Sequence, residues 1–217
     1  MNIAGFAAGP YKTNCYVVTG DGAAVVVDPG MHTQEKVEAY LREQAVALEA
    51  VYLTHGHLDH TRDAGALAKR HNVPVYIHPE DEYMLAAGDG VSEQSKLLFD
   101  AKNMVPIEEL RYFVDGETVM HAGFSVRVAH APGHSPGSVL LIHDEACFSG
   151  DVLFRGTIGR TDLDRSDPDA MDRSLAGPVW SLSDDLDVLP GHGPTTTMRM
   201  ERTSNPYLRM AKQKYPQ

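Results

Sequence analysis

Cysteine is scarce in this 217-residue chain, which holds only Cys15 and Cys147. Two thiols cannot build a disulfide scaffold, so the fold must rest on a packed core, which a chain of this length can bury unaided. Basic charge is also short: Lys and Arg number 19 against 30 Asp and Glu, a formal net charge of −11. That balance argues against nucleic acid as a partner, because such binding relies on cations that neutralise phosphates. No apolar run reaches the ~18 residues that a membrane-crossing helix needs, so no membrane partner is expected. Met1–Pro10 has neither the positive start nor the apolar stretch of a signal peptide. The expectation is a cytoplasmic protein whose two cysteines stay reduced. With 42% hydrophobic and 23% charged residues, the composition is that of an ordinary globular chain.

Strand and helix signals alternate along the chain. Cys15–Thr19 and Ala23–Val27 are apolar runs separated by Gly20-Asp21-Gly22, a hairpin signal, and Asp28-Pro29-Gly30 stops the second run. Val37, Tyr40, Leu41, Gln44 and Leu48 fall near helical spacing, which predicts a helix over 34–48. A buried strand at Ala50–Thr54 runs into His55, a second helix spans Thr61–His71, and Pro74–His78 reads as another strand. Pro79–Ala87 is a short helix and Gly88–Pro106 an irregular surface excursion. From Leu110 the pattern is mainly β, with strands at Phe124–His130, Gly137–His143 and Ala146–Ser149. Pro168–Leu182 is a helix, Leu186–Leu189 a final strand, and Met198–Lys212 a helix broken at Pro206. Without repeats or linkers, this order fits two packed α/β halves around sheets.

Histidine is what the chain has in quantity, 11 in all, and three lie in Thr54-His55-Gly56-His57-Leu58-Asp59-His60. On an extended segment, residues two apart point the same way, so His55 and His57 can grip one ion. Asp59 and His60 follow at a turn and can face a second. Imidazole and carboxylate donors suit zinc, iron and manganese alike. Ala131-Pro132-Gly133-His134, Phe148-Ser149-Gly150-Asp151 and Leu189-Pro190-Gly191-His192 repeat one local pattern: an apolar run, then glycine, then a potential ligand. The glycine permits a sharp turn or a close backbone approach where the strand ends. Four strand ends could therefore deliver ligands to one place.

On these motifs the chain resembles the metallo-β-lactamase superfamily, from Asp28-Pro29-Gly30 to His192. The resemblance implies residues 1–217 as a single domain of α/β (α+β) class, an αβ/βα four-layer sandwich of two mixed β-sheets flanked by helices. It implies two divalent metal ions per chain, zinc first and iron or manganese as alternatives. His55, His57 and His134 would bind one, Asp59, His60 and His192 the other, and Asp151 would bridge them. Asp28 would steady the His-rich loop from behind. The implied chemistry is attack of a metal-bridging hydroxide on an electrophilic centre, with Asp59 orienting it or passing a proton.

Within that superfamily, Gly150–Asp162 and the stretch from Pro190 to Tyr207 are similar to short glyoxalase II-like thioesterases, the hydroxyacylglutathione hydrolases. The implied substrate is a small-molecule 2-hydroxyacyl thioester such as S-D-lactoylglutathione. Only 25 residues follow His192, too few for the C-terminal helical domain with which the longer enzymes contact glutathione. A Gly-Arg-Thr-Asp stretch also occurs in the iron-dependent persulfide dioxygenases, so that activity stays open, as does another dinuclear hydrolysis by a lactonase or phosphodiesterase. Neither Cys15 nor Cys147 stands where a zinc-Cys β-lactamase places its ligand, so antibiotic hydrolysis is not expected. Arg155, Arg160 and Asp162 are candidates for the mouth of the site, where arginine would meet a substrate carboxylate. Arg160 and Asp162 could equally pair with one another. Tyr11, Tyr16 and Phe154 are either substrate contacts or core. His32, His71, His78, His121, His130 and His143 lack the ligand pattern and read as surface or packed residues.

Overall fold

A computed structural model describes residues 1–86 and 90–216. The first sheet takes its strands in chain order, β1 (Asn2–Ala8), β2 (Thr13–Gly20), β3 (Ala23–Val27), β4 (Ala47–Tyr52), β5 (Val75–Ile77) and β6 (Leu110–Tyr112). Its first three strands pair antiparallel and its last three join in parallel. The second sheet comprises β7 (Thr118–His121), β8 (Phe124–His130), β9 (Val139–Ile142), β10 (Ala146–Gly150), β11 (Asp187–Pro190) and β12 (Thr196–Thr197), also in sequential order. Here only β10 and β11 run parallel. The helices are α1 (Gln34–Gln44), α2 (Leu58–Thr61), α3 (Ala64–His71), α4 (Glu93–Leu98), α5 (Pro168–Ser174), α6 (Met198–Ser204) and α7 (Pro206–Lys214).

Strand alternation divides the apolar side chains between two faces. Tyr16, Val18, Val25, Val27 and Tyr52 point to the seam between the sheets, where they meet Phe124, Val126, Val128, Leu141 and Phe148. The intervening Cys15, Val17, Ala24, Val26 and Val51 pack outward with Val37 and Leu41 of α1 and Leu67 of α3. On the far side of the second sheet, Leu140, Cys147 and Val188 pack with Leu175, Val179, Leu208 and Ala211. The result is the expected four-layer sandwich of two mixed sheets flanked by helices.

Three elements differ from their expected form. The helix over 34–48 stops at Gln44, because Ala45 adopts a left-handed conformation with φ 52° and its N–H closes the helix on Arg42 and Leu41. Leu48 fits the helical spacing, yet it belongs to β4, paired with Ala24. The strand β1 has no counterpart in the sequence reading. It pairs with β2 alone, at the edge of its sheet, and its sequence Asn-Ile-Ala-Gly-Phe-Ala-Ala gives no clear alternation. The short helix expected at Pro79–Ala87 is a 3-10 segment at Pro79–Leu85, and the irregular excursion expected at Gly88–Pro106 contains helix α4 and a 3-10 turn at Ala101–Asn103. Ala87 and Gly88, where the expected short helix ends and the excursion begins, lie outside the described residues. The Pro168–Leu182 helix is α5 running into a π-helical turn at Leu175–Val179, and the C-terminal helix breaks at Asn205-Pro206 as expected.

Strand direction then sets where function can sit. Asp28 follows β3, His55 follows β4, His134 follows β8, Asp151 follows β10 and His192 follows β11, each at the C-terminal end of its strand. The sheets meet at this end: Val139 N–H donates to Thr54 O at 2.9 Å, and Asn14 N–H to Gly191 O at 2.7 Å.

Candidate metal centre

Three imidazoles, His55, His57 and His134, bring ligand atoms within 4.8 Å of one another, and Asp59, His60 and His192 do the same beside them. Asp151 stands between the two groups. Its Oδ2 lies 3.5 Å from His134 Nε2 and 3.5 Å from His192 Nε2, and its Oδ1 lies 3.4 Å from His60 Nε2. His57 Nδ1 is 2.8 Å from His134 Nε2, and His60 Nε2 is 3.3 Å from His192 Nε2. The seven sequence-predicted ligands therefore converge on one centre, at the floor of an open cleft of about 1210 Å³.

Four of the five rings are aimed by a contact on Nδ1, while His57 turns its own Nδ1 toward the centre. His134 Nδ1 lies 2.8 Å from Arg160 O, His192 Nδ1 3.2 Å from Tyr11 O, His60 Nδ1 3.0 Å from Asp28 Oδ2, and His55 Nδ1 3.2 Å from Thr54 Oγ1. Occupying Nδ1 leaves Nε2 with its lone pair facing the centre. Asp28 does more than hold His60: it accepts from Thr54 N–H at 2.8 Å and Thr54 Oγ1 at 2.6 Å, just before the His-rich turn. Thr13 Oγ1 donates to Asp59 Oδ2 at 2.9 Å.

Burial and mutual charge set the protonation of the cluster. Burial, helped by the His134 imidazole, pushes His57 down to about 3. Burial and the surrounding rings lower His55 as well. His60 moves the other way: burial opposes its charge, but Asp59 and Asp151 outweigh burial and raise it. Burial also opposes the charge of Asp59 and Asp151, and His60 leads the imidazoles that hold both below the usual carboxylate range. Among the described residues, four buried side-chain atoms lack a hydrogen-bond partner, and His55 Nε2 and Asp151 Oδ1 are two of them. An orphaned buried donor or acceptor is costly unless something else satisfies it. The neutral nitrogens of His55 and His57 and the buried carboxylate oxygens, converging with atoms left unsatisfied, fit a pair of divalent cations.

A family model of the metallo-beta-lactamase superfamily matches residues 8–193. The chain belongs to this superfamily. An uncharacterized protein of Mycobacterium leprae is 37% identical, covering 96% of this chain and 99% of its own. The hydroxyacylglutathione hydrolase GloC of Haemophilus influenzae is 34% identical, covering 96% of this chain and 98% of its own. Among solved structures, a BLEG-1 B3 metallo-beta-lactamase superposes with a TM-score of 0.84 at 33% identity, covering 95% of this chain and 99% of that one. A protein crystallised in a di-iron-bound form gives 0.83 at 34% identity, covering 94% and 99%. The likeness to a B3 enzyme weakens the sequence argument that drew on the cysteine positions. Cys15 and Cys147 are buried in the two outer cores, and neither belongs to the groups of converging donors.

Around the centre, this metallo-beta-lactamase fold places the remaining candidates unevenly. Arg160 and Asp162 line the cleft and pair with each other through two bonds, Nε to Oδ1 at 2.7 Å and Nη2 to Oδ2 at 2.8 Å. Arg155 is exposed and stands apart from the lining. Tyr11 and Phe154 line the cleft, whereas Tyr16 is buried between the sheets and donates to Pro190 O at 2.8 Å. Of the other histidines, His78 and His130 stack with centroids 4.0 Å apart and planes at 12°, near Glu80. Parallel rings direct their in-plane lone pairs alongside one another rather than to one point, and His130 Nε2 lies 2.8 Å from Pro136 O.

Two contributors are missing from the sequence reading. Asp81, fully buried, accepts from Gly56 N–H at 2.8 Å, Ser135 Oγ at 2.6 Å and Gly137 N–H at 2.6 Å. It thereby ties the His55–His57 turn to the His134 loop. Val91, Leu98 and Phe99, in and beside α4, line the cleft. No motif marks either feature, because each depends on where the 79–106 segment folds back.

Proposed function

We propose that the chain is a dinuclear metallo-hydrolase that cleaves 2-hydroxyacyl thioesters, such as S-D-lactoylglutathione, to the hydroxy acid and free thiol. The observation that carries this reading is the pair of three-donor groups joined through Asp151 at the floor of an open cleft. The resemblance of Gly150–Asp162 to glyoxalase II-like enzymes and the 34% identity to GloC support the choice of thioester. In this reading His55, His57 and His134 hold one divalent ion, Asp59, His60 and His192 hold a second, and Asp151 serves both. Zinc is the first choice, with iron and manganese compatible with the same donors. Ions bound there lower the pKa of water and polarise a carbonyl oxygen. The chain's residues do the rest. Asp28 and Asp81 fix the ligand loops, Thr13 orients the Asp59 carboxylate, and Asp59 accepts and passes a proton.

The test is metal content per chain together with hydrolysis of S-D-lactoylglutathione under anaerobic conditions, with a β-lactam such as nitrocefin run in parallel. Two metal ions per chain with oxygen-independent thioester turnover is the expected result. One iron per chain, with turnover of glutathione persulfide only when oxygen is admitted, would replace this reading with a dioxygenase. Nitrocefin cleavage far faster than any thioester would replace it with a β-lactamase.

A further inference from the structure

The cleft holds more than the acyl group of such a substrate needs. At about 1210 Å³ it exceeds the ~300–1,000 Å³ of a drug-sized ligand site, which leaves room for the thiol carrier as well. Its walls above the metal-ligand floor mix apolar and polar side chains. Val91, Leu98 and Phe99 come from the segment around α4, and Phe154, Ile158 and Leu163 from the loops after β10. Polar lining near α4 is uncharged: Ser92, Gln94 and Ser95. Ser95 Oγ lies 3.3 Å from the Tyr11 hydroxyl and 3.0 Å from Ser92 Oγ.

Charge is where the walls discriminate. Among the described lining residues Arg160 is the only Lys or Arg, and its guanidinium already forks onto Asp162 at 2.7 and 2.8 Å. Asp164 adds a second carboxylate to the same rim. A carrier carboxylate could meet Arg160 only at the Nη1 edge that Asp162 leaves free, where the guanidinium charge is already balanced. It would sit there beside the Asp162 carboxylate, with Asp164, itself 4.0 Å from Arg165 Nε, on the same rim. An uncharged carrier avoids that repulsion, gains apolar contact along the walls, and can hydrogen-bond its amides to the serines and Gln94.

We infer that the cleft selects thioesters of a neutral thiol, amide-bearing and partly apolar, over those of a net-anionic thiol such as glutathione, whose two carboxylates outnumber its one ammonium. This rests on the thioesterase reading for the reaction, but not for the preference itself. The metal-loaded protein is assayed with S-D-lactoyl-N-acetylcysteamine and S-D-lactoylglutathione, which share the acyl group and differ in the carrier. In parallel, the non-hydrolysable S-hexyl-N-acetylcysteamine and S-hexylglutathione are titrated by calorimetry.

The neutral ester is expected to lead in kcat/KM by about threefold to fivefold, carried by KM, with the neutral thioether binding tighter by a similar factor, the scale of one exposed ion pair. Asp162→Asn releases Arg160 and should shrink both ratios at least about threefold by improving the glutathione compounds. Equal or better binding and turnover of the glutathione compounds by the unaltered protein overturns the inference while leaving the thioesterase reading intact. Tighter binding of the neutral thioether with no turnover of either ester upholds the preference and removes the thioesterase reading instead.

Discussion

Asp81 shows how much a single buried carboxylate can organise. Burial raises its pKa, and the three donors from Gly56, Ser135 and Gly137 work against that rise by stabilising the charge. Asparagine has the same shape but only one acceptor oxygen, so its amide N–H₂ must confront one of the backbone N–H groups. Leaving such a donor unsatisfied costs about 1–3 kcal/mol. For a chain of this length, that is ~2–4 °C in Tm per kcal/mol. Asp81→Asn should therefore lower Tm by about 2–12 °C and also reduce metal content, because the freed segments carry His55, His57 and His134. Thermal unfolding and elemental analysis check this together, and an unchanged metal content would reduce Asp81 to a packing residue. The contrast with the ligands is instructive. His55, His57, Asp59 and His60 are legible because their spacing is local and the chemistry needs those residue types. Asp81 is an ordinary acidic residue in Pro79-Glu80-Asp81-Glu82, and only the fold gives it three donors 25 to 56 positions away.

At the scale of elements, the readable signal is glycine at the strand ends, and two glycines after β11 separate its two uses. Gly191 packs so closely that an added Cβ would lie 2.2 Å from Asp151 Oδ1 and 2.6 Å from His60 Cε1. Gly193 has φ +76° and open space where a Cβ would go. Gly191→Ala should thus spare the fold's secondary structure but cut the metal bound per chain and lower hydrolysis at least about 100-fold, a loss of ~2.7 kcal/mol in the barrier. Gly193→Ala should cost about 1–2 kcal/mol of stability through its left-handed backbone while retaining both metals. Similar metal content in the two variants would show that close approach at Gly191 is not what shapes the centre. Periodicity was a weaker guide than these turns. Val37, Leu41, Gln44 and Leu48 all fit one helix, yet Ala45 ends it, and alanine carries no stop signal. The edge strand β1 was illegible for a related reason: it pairs on one side only, so little in its residues had to alternate. The wall around α4 was hidden because its apolar residues answer to a cleft rather than to a regular face.

For the whole molecule, the two sheets and their helices exist apart from the centre, but the centre concentrates charge that the fold alone leaves poorly satisfied. In the metal-free protein, His57 is held neutral down to about pH 3. Its folded pKa lies below the ordinary 6.5, so its contribution to stability is present above pH 6.5 and fades as pH falls toward 3. His60 is raised, so its contribution is present below 6.5 and is lost as pH rises through its folded value. Metal ions need the unprotonated ring, and the proton that His60 holds beside Asp59 and Asp151 must leave when they bind. Two outcomes are expected. Adding divalent ions to chelator-treated protein at pH 7 should release protons, read as a calorimetric enthalpy that changes with the ionisation heat of the buffer. The loaded protein should also unfold at a higher temperature than the stripped one: occupancy at about 1,000 times Kd adds ~4 kcal/mol, or ~8–16 °C at this size. That gap should widen between pH 6 and 8 as proton competition falls. A gap that is absent, or that narrows with rising pH, would mean that the imidazoles around Asp151 do not hold the ions.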